Sequence, residues 1–228
     1  MGRLVLCFAV KCFFPTAPRE LLGRRFFIPM KTNLTKLAHD TAREFLAGVS
    51  PLYAIDATVG NGFDTLFLCS LAAESGGRVF GFDVNAEAVE RTRARLAENS
   101  LSGFAEISVC GHERIAERVP AEYRGKIACS FFNLGWLPRS DKSTITKSET
   151  TLAALAAAVE FADKSRGLLS VLCYRGHDGG AAECAAVEEF FDSLGGCKIG
   201  KYFDSENPVS PKLITAEFPA QNKSQKSV

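Results

Sequence analysis

A surplus of charge is what this chain lacks most plainly: 27 Lys and Arg stand against 26 Asp and Glu, a net of +1. That balance excludes a broad, non-specific nucleic-acid coat, which needs many cations to neutralise phosphates. It leaves open a local basic patch for a folded RNA. Histidine is scarce, with three residues at 39, 112 and 177. The eight cysteines include no C-x-x-C pair and no Cys/His run at zinc spacing, so no metal is expected. At 228 residues the chain is long enough for one sizeable core and needs no disulfide framework. Its cysteines therefore read as buried thiols, several of them (Cys110, Cys129, Cys173) inside apolar strands, which favours a reducing compartment, the cytoplasm. The apolar stretch from Leu4 to Val10 is far too short to span a bilayer, so no membrane partner is expected.

What is there divides into an unusual start and a regular body. Residues 1–30 carry Arg3, Lys11, Arg19, Arg24 and Arg25 against Glu20 alone, and Met30 precedes Lys31-Thr32-Asn33 like a natural start. They read as a poorly ordered extension or a misplaced start codon in preference to a targeting peptide. A single domain is expected over 31–220, followed by a polar tail at 221–228. Leu34, Leu37, Ala38, Ala42, Phe45 and Leu46 recur at helical spacing. Beyond them strands expected at 52–55, 78–82, 106–110, 126–134 and 167–174 alternate with helices from Leu66, at 86–97, 150–161 and 181–194. The strand-like stretches 198–203 and 213–218 have no room for a helix between them and must pair antiparallel or lie apart. This is an α/β chain with a doubly wound, mostly parallel sheet and one antiparallel C-terminal member.

The chemistry gathers where strands end. Asp56-Ala57-Thr58-Val59-Gly60-Asn61-Gly62-Phe63-Asp64-Thr65 follows an apolar run and opens a helix, so it predicts a glycine-bent cradle aimed by a helix N-terminus at an anionic group. A dinucleotide fingerprint would place a third glycine where Thr65 stands. The flanking Asp56 and Asp64 suit instead S-adenosylmethionine, which carries an ammonium and a sulfonium beside its carboxylate. Asp83 ends the next strand about twenty residues on, placed to accept from ribose hydroxyls or else to cap the helix from Ala86. His112, in Gly111-His112-Glu113, stands where such folds touch adenine, or simply begins a surface helix. Asn133 closes the fourth strand ahead of Leu134-Gly135-Trp136-Leu137-Pro138, echoing the Asn-Pro-Pro-Tyr element of amino-group methyltransferases. A side-chain carbonyl there can hold the hydrogens of an amine and point its lone pair at a methyl carbon. Trp136 either stacks on a base or packs.

Together with Asp141-Lys142 and Tyr174-Arg175-Gly176-His177-Asp178-Gly179-Gly180, these motifs resemble the YtqB/MnmM-type methyltransferases, long labelled rRNA methylases, over residues 34–218. The resemblance implies a Rossmann-like class I fold and S-adenosylmethionine-dependent N-methylation of the 5-aminomethyl group on tRNA wobble uridine 34, often 2-thiolated. The product would be 5-methylaminomethyl-uridine. It places Asn61, Asp83, Asn85, His112 and Glu113 at the cofactor and Asn133 at the amine. Phe63 stands where the family usually has a polar residue.

An aminomethyl group is largely an ammonium at neutral pH and must lose a proton, which His177, or Asp141 through water, can accept; His177 can also merely cap backbone. Tyr174 belongs with His177 to the substrate loop, and Arg139, Lys142 and Lys147 stand ready for anticodon-loop phosphates, joined by Lys31, Lys36 and His39. Arg91, Arg93 and Arg95 alternate with Glu87, Glu90 and Glu98 and read as solvated surface with local ion pairs. A homodimer is left open. The rivals are methylation of ribosomal RNA or a small amine, a non-catalytic RNA-binding protein with a vestigial cofactor fold, and a nicotinamide dehydrogenase.

Overall fold

The computed structural model describes residues 33–135, 146–203, 207 and 209–218, with the backbone of Phe26–Phe27. The elements follow in order: β1 (Phe26–Phe27), α1 (Leu34–Phe45), β2 (Tyr53–Asp56), α2 (Phe63–Ser75), β3 (Arg78–Asp83), α3 (Ala86–Glu98), β4 (Ala105–Val109), α4 (Ile115–Arg118) and β5 (Ile127–Leu134). α5 (Ser148–Phe161), β6 (Leu168–Cys173), α6 (Gly180–Ser193), β7 (Lys198–Phe203) and β8 (Lys212–Glu217) complete them. The expected alternation is present. Most boundaries move by a residue or two, but α2 begins at Phe63 rather than Leu66 because the helix starts directly on the glycine turn. The two-residue β1 and the four-residue α4 carry no periodic pattern and were not anticipated.

The strand order is β1-β7-β8-β6-β5-β2-β3-β4. Every described pairing is parallel except those of β8, which runs antiparallel to both β6 and β7. The last two strands thus pair antiparallel, and β8 inserts between β7 and the body of the sheet. The chain runs outward from β2 to β4, then returns to lay β5 on the other side of β2. The crevice at the carboxyl ends of β2 and β5 is therefore a topological switch point, where open α/β sheets bind ligands.

Neighbouring residues on each strand point to opposite faces, and this builds two cores. Ala54, Val79 and Phe131 enter the cluster that holds Leu68 and Leu96. Their successors Ile55, Phe80 and Phe132 enter the cluster that holds Leu155, Phe161 and Phe191. β5 and β6 are consequently apolar almost throughout, since both faces are covered. A fully buried ring such as Phe132 or Phe161 contributes about 2–3 kcal/mol. Helix ends are set locally. Asn33 and Asn85 cap α1 and α3 with side-chain oxygens, and Gly76 closes α2 in the left-handed conformation.

Candidate functional site

One open cavity of about 850 Å³ lies along the switch-point crevice and is lined from both sides of it. The volume is in the range of small-molecule sites. Its first wall is the turn after β2. Gly62 holds φ +77, and a Cβ built there would come within 2.5 Å of Thr92 Oγ1, so the helix can start so close to α3 only on a glycine. Gly62 also brings no side chain to cap α2, which leaves the first-turn N–H groups to whatever lies before them.

Of the turn residues expected at the cofactor, Thr58, Gly60, Asn61, Phe63 and Asp64 line the cavity. Asp56, Gly62 and Thr65 lie outside its lining. Asp56 is wholly buried beneath the turn, where its carboxyl accepts from Thr65 Oγ1 at 2.6 Å and from Thr58 N at 3.2 Å. Burial, with the nearby Asp64 charge, pushes the Asp56 carboxyl up to about 7. Thr65 stands in the third-glycine place because its hydroxyl is Asp56's partner. These residues build the turn from below.

Asp83, at the end of β3, lines the cavity while accepting from Gly60 N at 2.7 Å and from Asn85 N at 2.8 Å. The two bonds lock it to the turn, and each carboxylate oxygen keeps a lone pair for a further donor. The helix cap is Asn85, whose Oδ1 accepts from Glu87 N and Ala88 N; the capping role considered for Asp83 belongs there. Asn85 therefore reaches the cavity with its acceptor already engaged.

Past β4, Gly111 allows the chain to fold Glu113's carboxylate over its own Cα, 2.1 Å from where a Cβ would stand. His112 beside it lines the cavity but is buried, and that burial holds its imidazole below the usual range, neutral at pH 7. Cys110 lies just beyond the strand rather than in it, half-buried on the cavity wall. Among the described residues, no group of three or more His, Cys, Asp or Glu is placed to hold a metal.

The opposite wall comes from β5 and β6. Asn133 lines the cavity and is tied to the turn, its N donating to Thr58 Oγ1 at 2.7 Å and its Nδ2 to Asp64 Oδ2 at 2.5 Å. Asp64 thus belongs to the Asn133 side of the site as much as to the cofactor side. Tyr174 N donates to Leu134 O at 2.8 Å, which brings the loop after β6 beside Asn133 as expected. Tyr174, Lys147 and His177 line the cavity. His177 Nδ1 meets Asp178 O at 2.9 Å, while its buried Nε2 has no hydrogen-bond partner among the described residues and lies 3.4 Å from the Cβ position of Gly135. Trp136, Arg139, Asp141 and Lys142 lie outside the described residues, as does Lys31.

Some residues do work that periodicity did not show. His39, expected on an RNA-facing surface, turns inward, with Nε2 2.5 Å from Asp64 Oδ1 and its ring stacked on Phe67 at 4.1 Å. Lys36 pairs with Asp40 instead of joining the site. Arg91 and Arg93 make the expected pairs with Glu87 and Glu90, but Arg95 does not: its guanidinium covers the exposed Phe63 ring at 4.2 Å and its Nε donates to Asn61 O. Glu183 is buried and accepts from Thr146 and Thr151 hydroxyls at 2.7 Å each. Thr146 Oγ1 also accepts from Gly135 N at 3.0 Å, so Glu183 pins the two ends of the 136–145 segment together. Its only signal in the sequence is a Glu among the small residues of the first turns of α6.

The cavity suits S-adenosylmethionine on its own chemistry. Asp64, Asp83 and Glu113 bring anionic groups for a cationic ligand, and the uncapped start of α2 offers N–H groups for a carboxylate. Comparison with known proteins agrees in fold and family. Residues 79–207 match the family model described as "Putative rRNA methylase". The "tRNA (mnm(5)s(2)U34)-methyltransferase, chloroplastic" of Arabidopsis thaliana is 39% identical over 148 residues, 61% of this chain and 53% of that protein. The chain thus spans about half the length of this curated relative. The crystal structure named as a putative rRNA-methylase from Clostridium thermocellum is 31% identical, with a TM-score of 0.74 over 83% of this chain and 99% of that one. The O-methyltransferase TomG from Streptomyces achromogenes, crystallised with S-adenosylmethionine, shares the fold at 13% identity and a TM-score of 0.62, covering 84% of this chain and 82% of its own. On the family match and a structural likeness that covers most of its length, the chain belongs to the rRNA-methylase family of class I methyltransferase fold.

Proposed function

We propose that the chain is an S-adenosylmethionine-dependent N-methyltransferase for the 5-aminomethyl group of tRNA wobble uridine 34, giving 5-methylaminomethyl-(2-thio)uridine. The observation that carries the chemistry is Asn133, an amide at the end of a central strand, facing the same cavity as the acidic glycine turn. Its side-chain oxygen accepts from the amine and aims the nitrogen lone pair, and methyl transfer is an in-line displacement governed by positioning. The cofactor supplies an electrophilic methyl group. Asp83 holds its ribose, and the first turn of α2 its carboxylate.

The nucleoside rests on the 39% identity to the plant enzyme named for that modification. The unpartnered Nε2 of His177 favours it as acceptor for the ammonium proton, with Asp141 through water as the alternative. Lys147 on the cavity wall, with Arg139 and Lys142, would meet anticodon-loop phosphates, and Trp136 and Tyr174 the base. The free thiols suit a reducing compartment such as the cytoplasm.

Mass spectrometry of nucleosides, after the protein is incubated with labelled S-adenosylmethionine and tRNA bearing 5-aminomethyl-uridine, tests the proposal. Label in 5-methylaminomethyl-uridine is the expected result. A labelled ribosomal RNA with unlabelled tRNA overturns it and moves the substrate to the ribosome.

A further inference from the structure

We infer that His39, on the helix preceding the cofactor fold, is a positioning residue for methyl transfer: it holds Asp64, which in turn fixes the Asn133 amide with its oxygen toward the substrate amine. This rests on the methyltransferase reading.

Asp64 is about one-tenth exposed and has both oxygens engaged, Oδ1 with His39 Nε2 and Oδ2 with Asn133 Nδ2, each at 2.5 Å. It stands in the first turn of α2. A carboxylate only accepts hydrogen bonds, so both groups facing it must donate. That places the proton of His39 on Nε2 and decides the two-fold ambiguity of the Asn133 amide: the NH2 faces Asp64, and the oxygen is left as the free end.

The orientation matters because the two ends of a carboxamide are nearly the same size. Only the oxygen can accept from an amine; the NH2 end would oppose its hydrogens. His39 is itself held flat on Phe67, 4° from parallel, with Phe131 at 5.9 Å and the Arg43 guanidinium over the Phe67 ring. The chain of contacts thus runs from a packed imidazole to the amide that grips the substrate amine. Without His39, Asp64 loses its second donor and turns freely, and Asn133 loses its fixed partner.

The test compares wild type, His39→Ala and His39→Gln, whose amide nitrogen can occupy the place of Nε2. Turnover on tRNA bearing 5-aminomethyl-uridine, cofactor affinity by calorimetry and the Asn133 side-chain amide signal by 15N NMR are read on each. His39→Ala should lower kcat about 10- to 100-fold, with cofactor affinity within about two-fold, and shift the amide signal. His39→Gln should recover much of both. The inference is overturned if His39→Ala keeps wild-type turnover, if turnover and cofactor affinity fall together, or if Gln rescues no better than Ala. Should His39→Ala fail to fold, His39→Leu, closer in volume, takes its place under the same criteria. A wild-type protein that transfers no methyl group sinks the function instead, and the amide signal then decides the positioning alone: unmoved in His39→Ala, it refutes the role.

Discussion

The two walls of the cavity are built differently. On the β2–β3–β4 side, the proposed cofactor wall, the groups are held mostly by near neighbours, Asp83 by Asn85 N, Thr58 by Asp56 and Glu113 over Gly111, with one longer bond, Gly60 N to Asp83, inside the wall itself. On the β5–β6 side the groups are held across the fold. Asn133 is fixed by Thr58 and Asp64, Thr146 by Glu183, and Asp64 by His39, over sequence separations of 25 to 75 residues. A cofactor of constant shape can be met by a self-contained turn. A substrate group aligned to the methyl carbon must be referenced to that turn, and only long-range bonds can do this.

If the walls are separable in this way, breaking the second should cost turnover and spare the cofactor. Asn133→Ala is expected to show the largest effect, lowering kcat by about 10²–10³-fold with cofactor affinity nearly unchanged in calorimetry. A parallel loss of both would merge the two walls. Asp83→Ala breaks the other wall: cofactor affinity should weaken by about 1.5–3 kcal/mol, because a charged acceptor is lost and Gly60 N is left without its partner. Isothermal titration reads that directly, and an unchanged Kd would remove Asp83 from the cofactor.

Asp56 sharpens the comparison from beneath. Its folded pKa, about 7, lies above the ordinary 3.8, so below 3.8 the carboxyl is protonated in both states and its stabilisation is complete. Between 3.8 and about 7 the folded chain keeps a proton that the unfolded chain has released. Stability therefore falls as pH rises through that window and levels off above it. Urea melts at pH 5 and pH 8 should show Asp56→Asn losing less than wild type over this interval, by on the order of 2 kcal/mol. An equal loss in both proteins would show that Asp56 is ionised throughout.

Two smaller effects bound the first wall. Asn85→Ala should cost about 1 kcal/mol of stability as a lost helix cap while changing cofactor affinity little. Arg95→Ala should cost about 0.5–1 kcal/mol through the exposed Phe63 contact, measured by the same melts. A large loss of cofactor affinity in either variant would extend the cofactor wall into α3.

The first wall was legible in the sequence because its signals are local. A glycine pair after an apolar run, an aspartate ending the next strand and Gly111-His112-Glu113 after the third are each marked by a few adjacent residues. Even there the mutual bond of Asp56 and Thr65 is not legible, since a buried pair and a ligand-facing pair look alike along a chain. The second wall was legible only as single residues: Asn133 and His177 were named, but not what holds them. His39 is not legible as an inward residue because it is a polar position of the amphipathic α1, and periodicity assigns such positions to water.

The sequence by itself determined the alternation of strand and helix, the position of the glycine turn and the family, because hydrophobic period and turn chemistry are properties of adjacent residues. Only the tertiary structure decided that Asp64 holds Asn133, that Asn85 rather than Asp83 caps its helix, that Arg95 covers Phe63 and that Glu183 holds Thr146. A hydrogen bond acts over about 3 Å, and whether two residues come that close depends on how the sheet is ordered and which faces are packed. That ordering places β5 beside β2, and with it the proposed substrate wall beside the glycine turn.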